Sequence, residues 1–149
     1  MSLRWKVAVG ILLLTSAFYN IHQARADGVV NLHLGSKHIN PQRDFNETNL
    51  GLGVAYNLGT NASLRGGFYN NSEDNTSVYM GGELHSNQSR MFTVGLQYGV
   101  VSGYSQIPLV FYVMPVISHR YKNVRTEIGY IPAIEQYPAV VTATMGVFF

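Results

Sequence analysis

His33 and Ser72 are the side chains of this sequence best suited to chemistry. His33 stands in Asn31-Leu32-His33-Leu34-Gly35, and Ser72 in Asn70-Asn71-Ser72-Glu73-Asp74. An imidazole, with an ordinary pKa of about 6.5, takes or gives a proton near neutrality. A serine hydroxyl acts as a nucleophile beside a base, or as a donor to a developing oxyanion. His38 is a second imidazole candidate, placed by the sequence in the connection after the first strand; its plainer reading is a solvated loop residue. His85 and His119 fall near turns at the opposite end. The five histidines have no close ligand spacing and cysteine is absent, so the reading expects no metal and no cofactor.

What must position these groups is a set of strands. Eight segments alternate with period 2: about 29–37, 49–58, 62–70, 77–85, 92–100, 108–119, 124–130 and 141–149. The second is the clearest, with Leu50, Leu52, Val54, Tyr56 and Leu58 against Asn49, Gly51, Gly53, Ala55 and Asn57. The sixth is apolar on both faces. In the first, Leu32 and Leu34 share one face while Asn31 and His33 share the other. Residues 1–26 read as a secretory signal. Arg4 and Lys6 precede the apolar run Val7 to Phe18, and Ala24-Arg25-Ala26 fits small-x-small cleavage. The domain is then 27–149. Only 12% of residues are charged, against about 25% in soluble domains. The net charge of +2 gives no sign of a nucleic-acid partner.

Period-2 strands suit either a soluble barrel or a membrane barrel with its apolar face outward. The signal, the Asn, Arg, Glu, Gln and Gly content of the polar face, and a last strand ending at Phe149 favour the second. The expected fold is all-β: a monomeric eight-stranded antiparallel outer-membrane β-barrel of a Gram-negative cell. A long first connection and a short second one place His33 in the outer half of the bore and Ser72 at the outer end of the third strand. Arg65, Glu83, Arg125 and Glu127 fall on bore faces and are expected to neutralise one another. Pro108 and Pro132 are expected to weaken pairing between the sixth and seventh strands, since proline donates no ladder hydrogen bond.

Several stretches together resemble one family. His33 is followed by "FNETNLGLG"; then come "GFYNNS", "GLQYGVVSGY", "IPLVFYVMP" and "IGYIPA". Their order and spacing resemble the lipid A palmitoyltransferases, the PagP family. The resemblance implies an outer-membrane barrel that moves a fatty acyl chain from a phospholipid to a lipid A hydroxyl. It matches His33 to the family's histidine and Ser72 to its serine. Asn71 stands at the aspartate position, the family's arginine after strand five is missing from Ser102-Gly103-Tyr104-Ser105, and the N-terminal amphipathic helix is missing too. A glycine at the floor of the acyl pocket falls near Glu83.

The resemblance implies that His33 takes the proton of the acceptor hydroxyl while Ser72 and the Asn71 amide hold the ester carbonyl. Alternatively, Ser72 attacks and forms an acyl-enzyme. With Asn71 in place of a carboxylate, Asp74 or Glu73 could orient the imidazole. Two rival readings stand beside the acyltransferase. One is a non-enzymatic small barrel acting in surface interaction or membrane integrity; the other is a lipid A deacylase with water as acceptor. Phospholipid, lipid A and outer-membrane lipid are the expected partners.

Overall fold

The computed structural model describes residues 28–86, 91–134 and 137–149. The leader read at 1–26 lies outside the described residues. Eight strands follow one another in chain order: β1 (Gly28–Ile39), β2 (Gly51–Asn57), β3 (Ala62–Asn70), β4 (Thr76–His85), β5 (Phe92–Ser102), β6 (Leu109–Tyr121), β7 (Val124–Ile131) and β8 (Ala139–Phe148). Each pairs antiparallel with its neighbour, and β8 returns to β1, so the sheet closes into a barrel. Closure removes the free edges an open sheet would leave.

The alternation in the sequence separates two environments. Leu52, Val54, Phe68, Val78, Met80, Leu96, Val113 and Ile117 lie exposed on the outer wall, and Phe111 is 81% exposed. Asn31, Ser63, Arg65, Ser77, Glu83, Thr93, Gln97, Arg125 and Glu127 are buried in the bore. Water would not favour that arrangement, because apolar area left in contact with it costs about 25 cal/mol per Å². Hydrocarbon does favour it: a closed ladder leaves few backbone polar groups unpaired, and the apolar band meets lipid. The inner glycines make room for large bore side chains. A Cβ on Gly53 or Gly67 would run into the Tyr79 ring.

The connections are asymmetric. Strands β1 to β2, β3 to β4, β5 to β6 and β7 to β8 follow one another across one rim, the first three joins running through residues 40–50, 71–75 and 103–108; β2 to β3, β4 to β5 and β6 to β7 follow across the other, the first and last through 58–61 and 122–123. The first group forms the long-loop rim. At the opposite end Val29, Ala55 and Phe148 form a small apolar cluster, and the Arg120 guanidinium lies 4.0 Å over the Phe148 ring.

Two local features depart from simple alternation. The β1–β8 register shifts between His33 and Gly35, which marks a bulge. A bulge adds one residue to one strand and reverses the facing of everything beyond it. Ser36 and His38 therefore turn inward. His38 is a strand residue with 6% exposure, not the solvated loop residue of the plainer sequence reading. Second, the β6–β7 ladder runs from Tyr121↔Val124 only as far as Val116↔Gly129. The next β6 residue is Pro115, which has no N–H to offer. Leu109 to Pro115 stay paired with β5 but have no ladder partner on β7. The break thus begins deeper in the wall than Pro108 and Pro132 alone would suggest.

The inside-out arrangement makes one prediction. Leu96→Arg sets a cation on the outer wall midway along β5 and should cost about 2–4 kcal/mol near a bilayer midplane. Urea unfolding of protein refolded into phospholipid vesicles should show a correspondingly lower midpoint. An unchanged midpoint would contradict the outward facing of this row.

Candidate functional site

The bore is built in layers. The lowest that concerns function is charged. Arg65 donates to Glu83, and to Glu127 at 3.2 Å. Arg125 donates to Glu83 at 2.7 Å and also to Glu127. Gln97 Nε2 donates to Glu127 at 2.7 Å and to Glu83 at 3.2 Å. Two cations and two anions cancel, and the side chains span β3, β4, β5 and β7, so they cross the bore from several sides. Glu83 is 1% exposed and sits inside this network, with Arg65 as the partner its burial requires.

Above it lies an aromatic layer holding His33. A His33 ring nitrogen, Nε2, is 3.0 Å from the Tyr79 hydroxyl. The Tyr79 ring is edge-on to the imidazole at 5.3 Å, and the Tyr69 ring is tilted at 5.5 Å. The Tyr69 and Tyr104 hydroxyls are 3.4 Å apart. Tyr112, on the stretch of β6 that has no ladder partner on β7, lies in electrostatic reach of both Tyr69 and Tyr79. The ladder break therefore lies at the height of the layer that contains His33.

The third layer is the long-loop rim, where the structure places Asn71 and Ser72. Asn71 is fully buried. Its amide nitrogen donates to Ser77 Oγ at 3.0 Å and to the Gly103 carbonyl at 2.9 Å. Its amide oxygen accepts from the Glu73 and Asn75 N–H groups at 2.8 and 3.1 Å. Both donors and both lone pairs of the side chain are thus committed. Asn71 ties the β3–β4 turn to the β5–β6 connection, a task that needs donors and that a carboxylate could not perform.

Ser72 contributes its carbonyl to Asn46 N–H at 3.0 Å, while its hydroxyl makes no hydrogen bond among the described residues. It lines an open polar cleft of about 560 Å³ with Arg43, Asp44, Phe45, Asn46, Glu73 and other loop residues. Asn71 and Ser72 are brought together; His33 has its contacts in the aromatic layer beneath them and shares no hydrogen bond with either.

Loop residues that the sequence did not single out as a group hold this rim in place. Residues 40–50 fold back along β1, with Ser36 N–H donating to the Glu47 carbonyl at 2.9 Å. Ser36 Oγ donates to Asn49, and Asn46 Nδ2 reaches the Asn71 carbonyl at 3.1 Å. The Lys37 ammonium, 2.8 Å away, and then the His38 N–H hold the Glu47 carboxyl below its ordinary range. Glu73 accepts from Ser105 N–H at 2.9 Å and from Arg43 at 3.1 Å, and those partners, the Ser105 N–H foremost, lower its pKa from the ordinary 4.5. The visible signal for this assembly is that Asn- and acid-rich stretches occur in connections on the same side of the barrel.

The sequence matches no family model and no curated protein. Solved structures do match. A de novo designed transmembrane β-barrel aligns at TM-score 0.64 and 12% identity, over 85% of this chain and 98% of that one. The N-terminal β-barrel domain of Pseudomonas aeruginosa OprF aligns at TM-score 0.53 and 12% identity, over 83% and 98%. The Yersinia pestis outer membrane protein Ail aligns at TM-score 0.53 and 10% identity, over 82% and 98%. At these identities the likeness is one of fold: the chain is an eight-stranded barrel of the outer-membrane type.

Two outcomes follow from the rim. Asn71→Asp removes two donated hydrogen bonds and buries a charge, so it should destabilise the protein by roughly 1–3 kcal/mol or more, whereas Ser72→Ala should be near neutral; urea midpoints in vesicles compare the two. Glu73, with its pKa lowered in the folded rim, contributes stability that is present above its ordinary pKa and lost as pH falls through the lowered one. The NMR shift of the Ser105 amide proton should titrate with a midpoint below 4.5 and lose that titration in Glu73→Gln; a midpoint at or above 4.5 would contradict the contact.

Proposed function

We propose that this protein is an outer-membrane barrel of a Gram-negative cell that works through its outward rim, as a surface-interaction or membrane-integrity protein. The observation that carries this reading is the ordered rim cleft standing above a bore crossed by a neutral, hydrogen-bonded charge layer. A general base and a nucleophile need to come within about 2.6–3.2 Å, or be bridged by one water. The Ser72 hydroxyl opens into the rim cleft, the Asn71 amide is fully committed, and His33 is engaged with Tyr79. Similarity in fold to the OprF and Ail barrels supports an outer-membrane location.

A second reading is favoured by the interrupted β6–β7 ladder. In a PagP-like lipid A acyltransferase, a phospholipid tail would enter the upper bore through this interruption, beside Tyr112 and Met114. His33 would then take the proton of a lipid A hydroxyl as it attacks the ester, Ser72 would hold the carbonyl, and the lysolipid would leave. Such a reaction requires Ser72 to turn inward and His33 to leave Tyr79. The order of the motifs from "FNETNLGLG" to "IGYIPA" supports it as well.

Mass spectra of lipid A from cells expressing the wild type or His33→Ala separate these readings. The rim reading predicts the same lipid A masses in both. A gain of one acyl mass that depends on His33 would replace it with acyl transfer, and a His33-dependent loss of one acyl mass with deacylation.

A further inference from the structure

The rim cleft has a lining that selects its ligand chemically. Its volume of about 560 Å³ lies within the range of about 300–1,000 Å³ typical of small-molecule sites. The loops that form it are already cross-linked, by Arg43 to Glu73, by Glu73 to the Ser105 N–H, and by Asn46 to both Asn71 and Ser72. Binding there would order little new chain, and ordering cost is a main debit in binding.

What remains uncommitted is informative. Among the described residues, the Asp44 carboxylate, the Gln106 amide and the Ser72 hydroxyl line the cleft without a side-chain hydrogen bond. Together they offer acceptors and donors spread over one surface. Apolar anchors find no platform, because Phe45 is covered by the His38 ring at 4.2 Å and the Arg43 guanidinium at 4.8 Å. Anions find no free cation, since Arg43, the lining cation, is paired with Glu73 at 3.1 Å. Three lining acids, Asp44, Glu73 and Asp74, outnumber it. Nor do the acids of the described residues assemble into a metal-ligand set.

We propose that the rim cleft binds an uncharged oligosaccharide. Vicinal sugar hydroxyls donate and accept at once, which suits a carboxylate, an amide and a hydroxyl facing one hollow. Phosphorylated and other anionic glycans are repelled by the acidic excess, so the site is not a seat for a lipid A phosphate. This inference rests on the rim reading above and names the ligand class it would serve.

The test is isothermal titration calorimetry on the intact barrel in nanodiscs, with neutral tetrasaccharides of glucose, galactose or N-acetylglucosamine, their sulfated counterparts, and spermidine. At least one neutral probe should bind, and its sulfated counterpart should bind more weakly. The double variant Asp44→Asn/Gln106→Ala, confirmed as folded by its compact migration in unheated SDS gels, should bind about tenfold more weakly for the loss of one or two hydrogen bonds. Lys122→Ala, at the opposite end, should bind as the parent does. Binding of none of the neutral probes, tighter binding of the sulfated probes or spermidine, or binding unaffected by the double variant would each overturn the proposal. Failure here with unchanged lipid A masses leaves the rim reading standing, whereas a His33-dependent change in lipid A mass removes that reading itself.

Discussion

The ion-pair layer of Arg65, Glu83, Arg125 and Glu127 is the interaction on which the rest of this barrel depends. The apolar face turns outward, so polar side chains must fill the interior, and a narrow eight-stranded bore leaves little space for water to solvate them. An unpaired charge there would be strongly destabilising. Two arginines and two glutamates, linked through Gln97, cancel in charge and provide partners for most of their own hydrogen-bonding groups. Buried ion pairs often add little net stability over apolar packing, but removing one member is costly. The layer therefore acts less as glue than as a constraint: it ties β3, β4, β5 and β7 to one register and divides the bore into a lower part and an upper part.

That division explains where chemistry could occur. His33 stands above the layer among tyrosines, and Ser72 stands higher still, among loops. Glu83 occupies the charge layer where the family resemblance would put the floor of an acyl pocket. Asn71, at the resemblance's aspartate position, makes four side-chain hydrogen bonds, one of which ties its turn to the β5–β6 connection. The β6–β7 break shows that the upper wall is less continuous than the lower wall. One barrel thus combines a lower half braced by the ion-pair layer with a less continuous upper half topped by cross-linked loops.

Much of this was legible in the sequence, for a physical reason. A strand between hydrocarbon and a polar bore must change residue type at every step, so Leu50-Gly51-Leu52-Gly53-Val54 states both its conformation and its two faces. The mutual neutralisation of Arg65, Glu83, Arg125 and Glu127 was readable as well, because all four fall on bore faces. The bulge between His33 and Gly35 was not readable. Its extra residue reverses facing without any change in composition, and so His38 looked like a loop residue. The rim cleft was also hidden, since Arg43, Ser72 and Ser105 meet only when separate connections fold over one another. The ladder break was anticipated at Pro108 and Pro132, but its lower limit follows Pro115, whose effect depends on a register that pattern alone does not reveal.

A neutral layer of ion pairs that spans β3, β4, β5 and β7 should close the bore to ions. Single-channel recording of the purified wild-type protein in planar bilayers reads this out. The wild type should give a flat, closed baseline, and ion-conducting openings should appear when the layer is hollowed by Glu83→Ala/Arg125→Ala. A steady ohmic conductance from the wild type would contradict it.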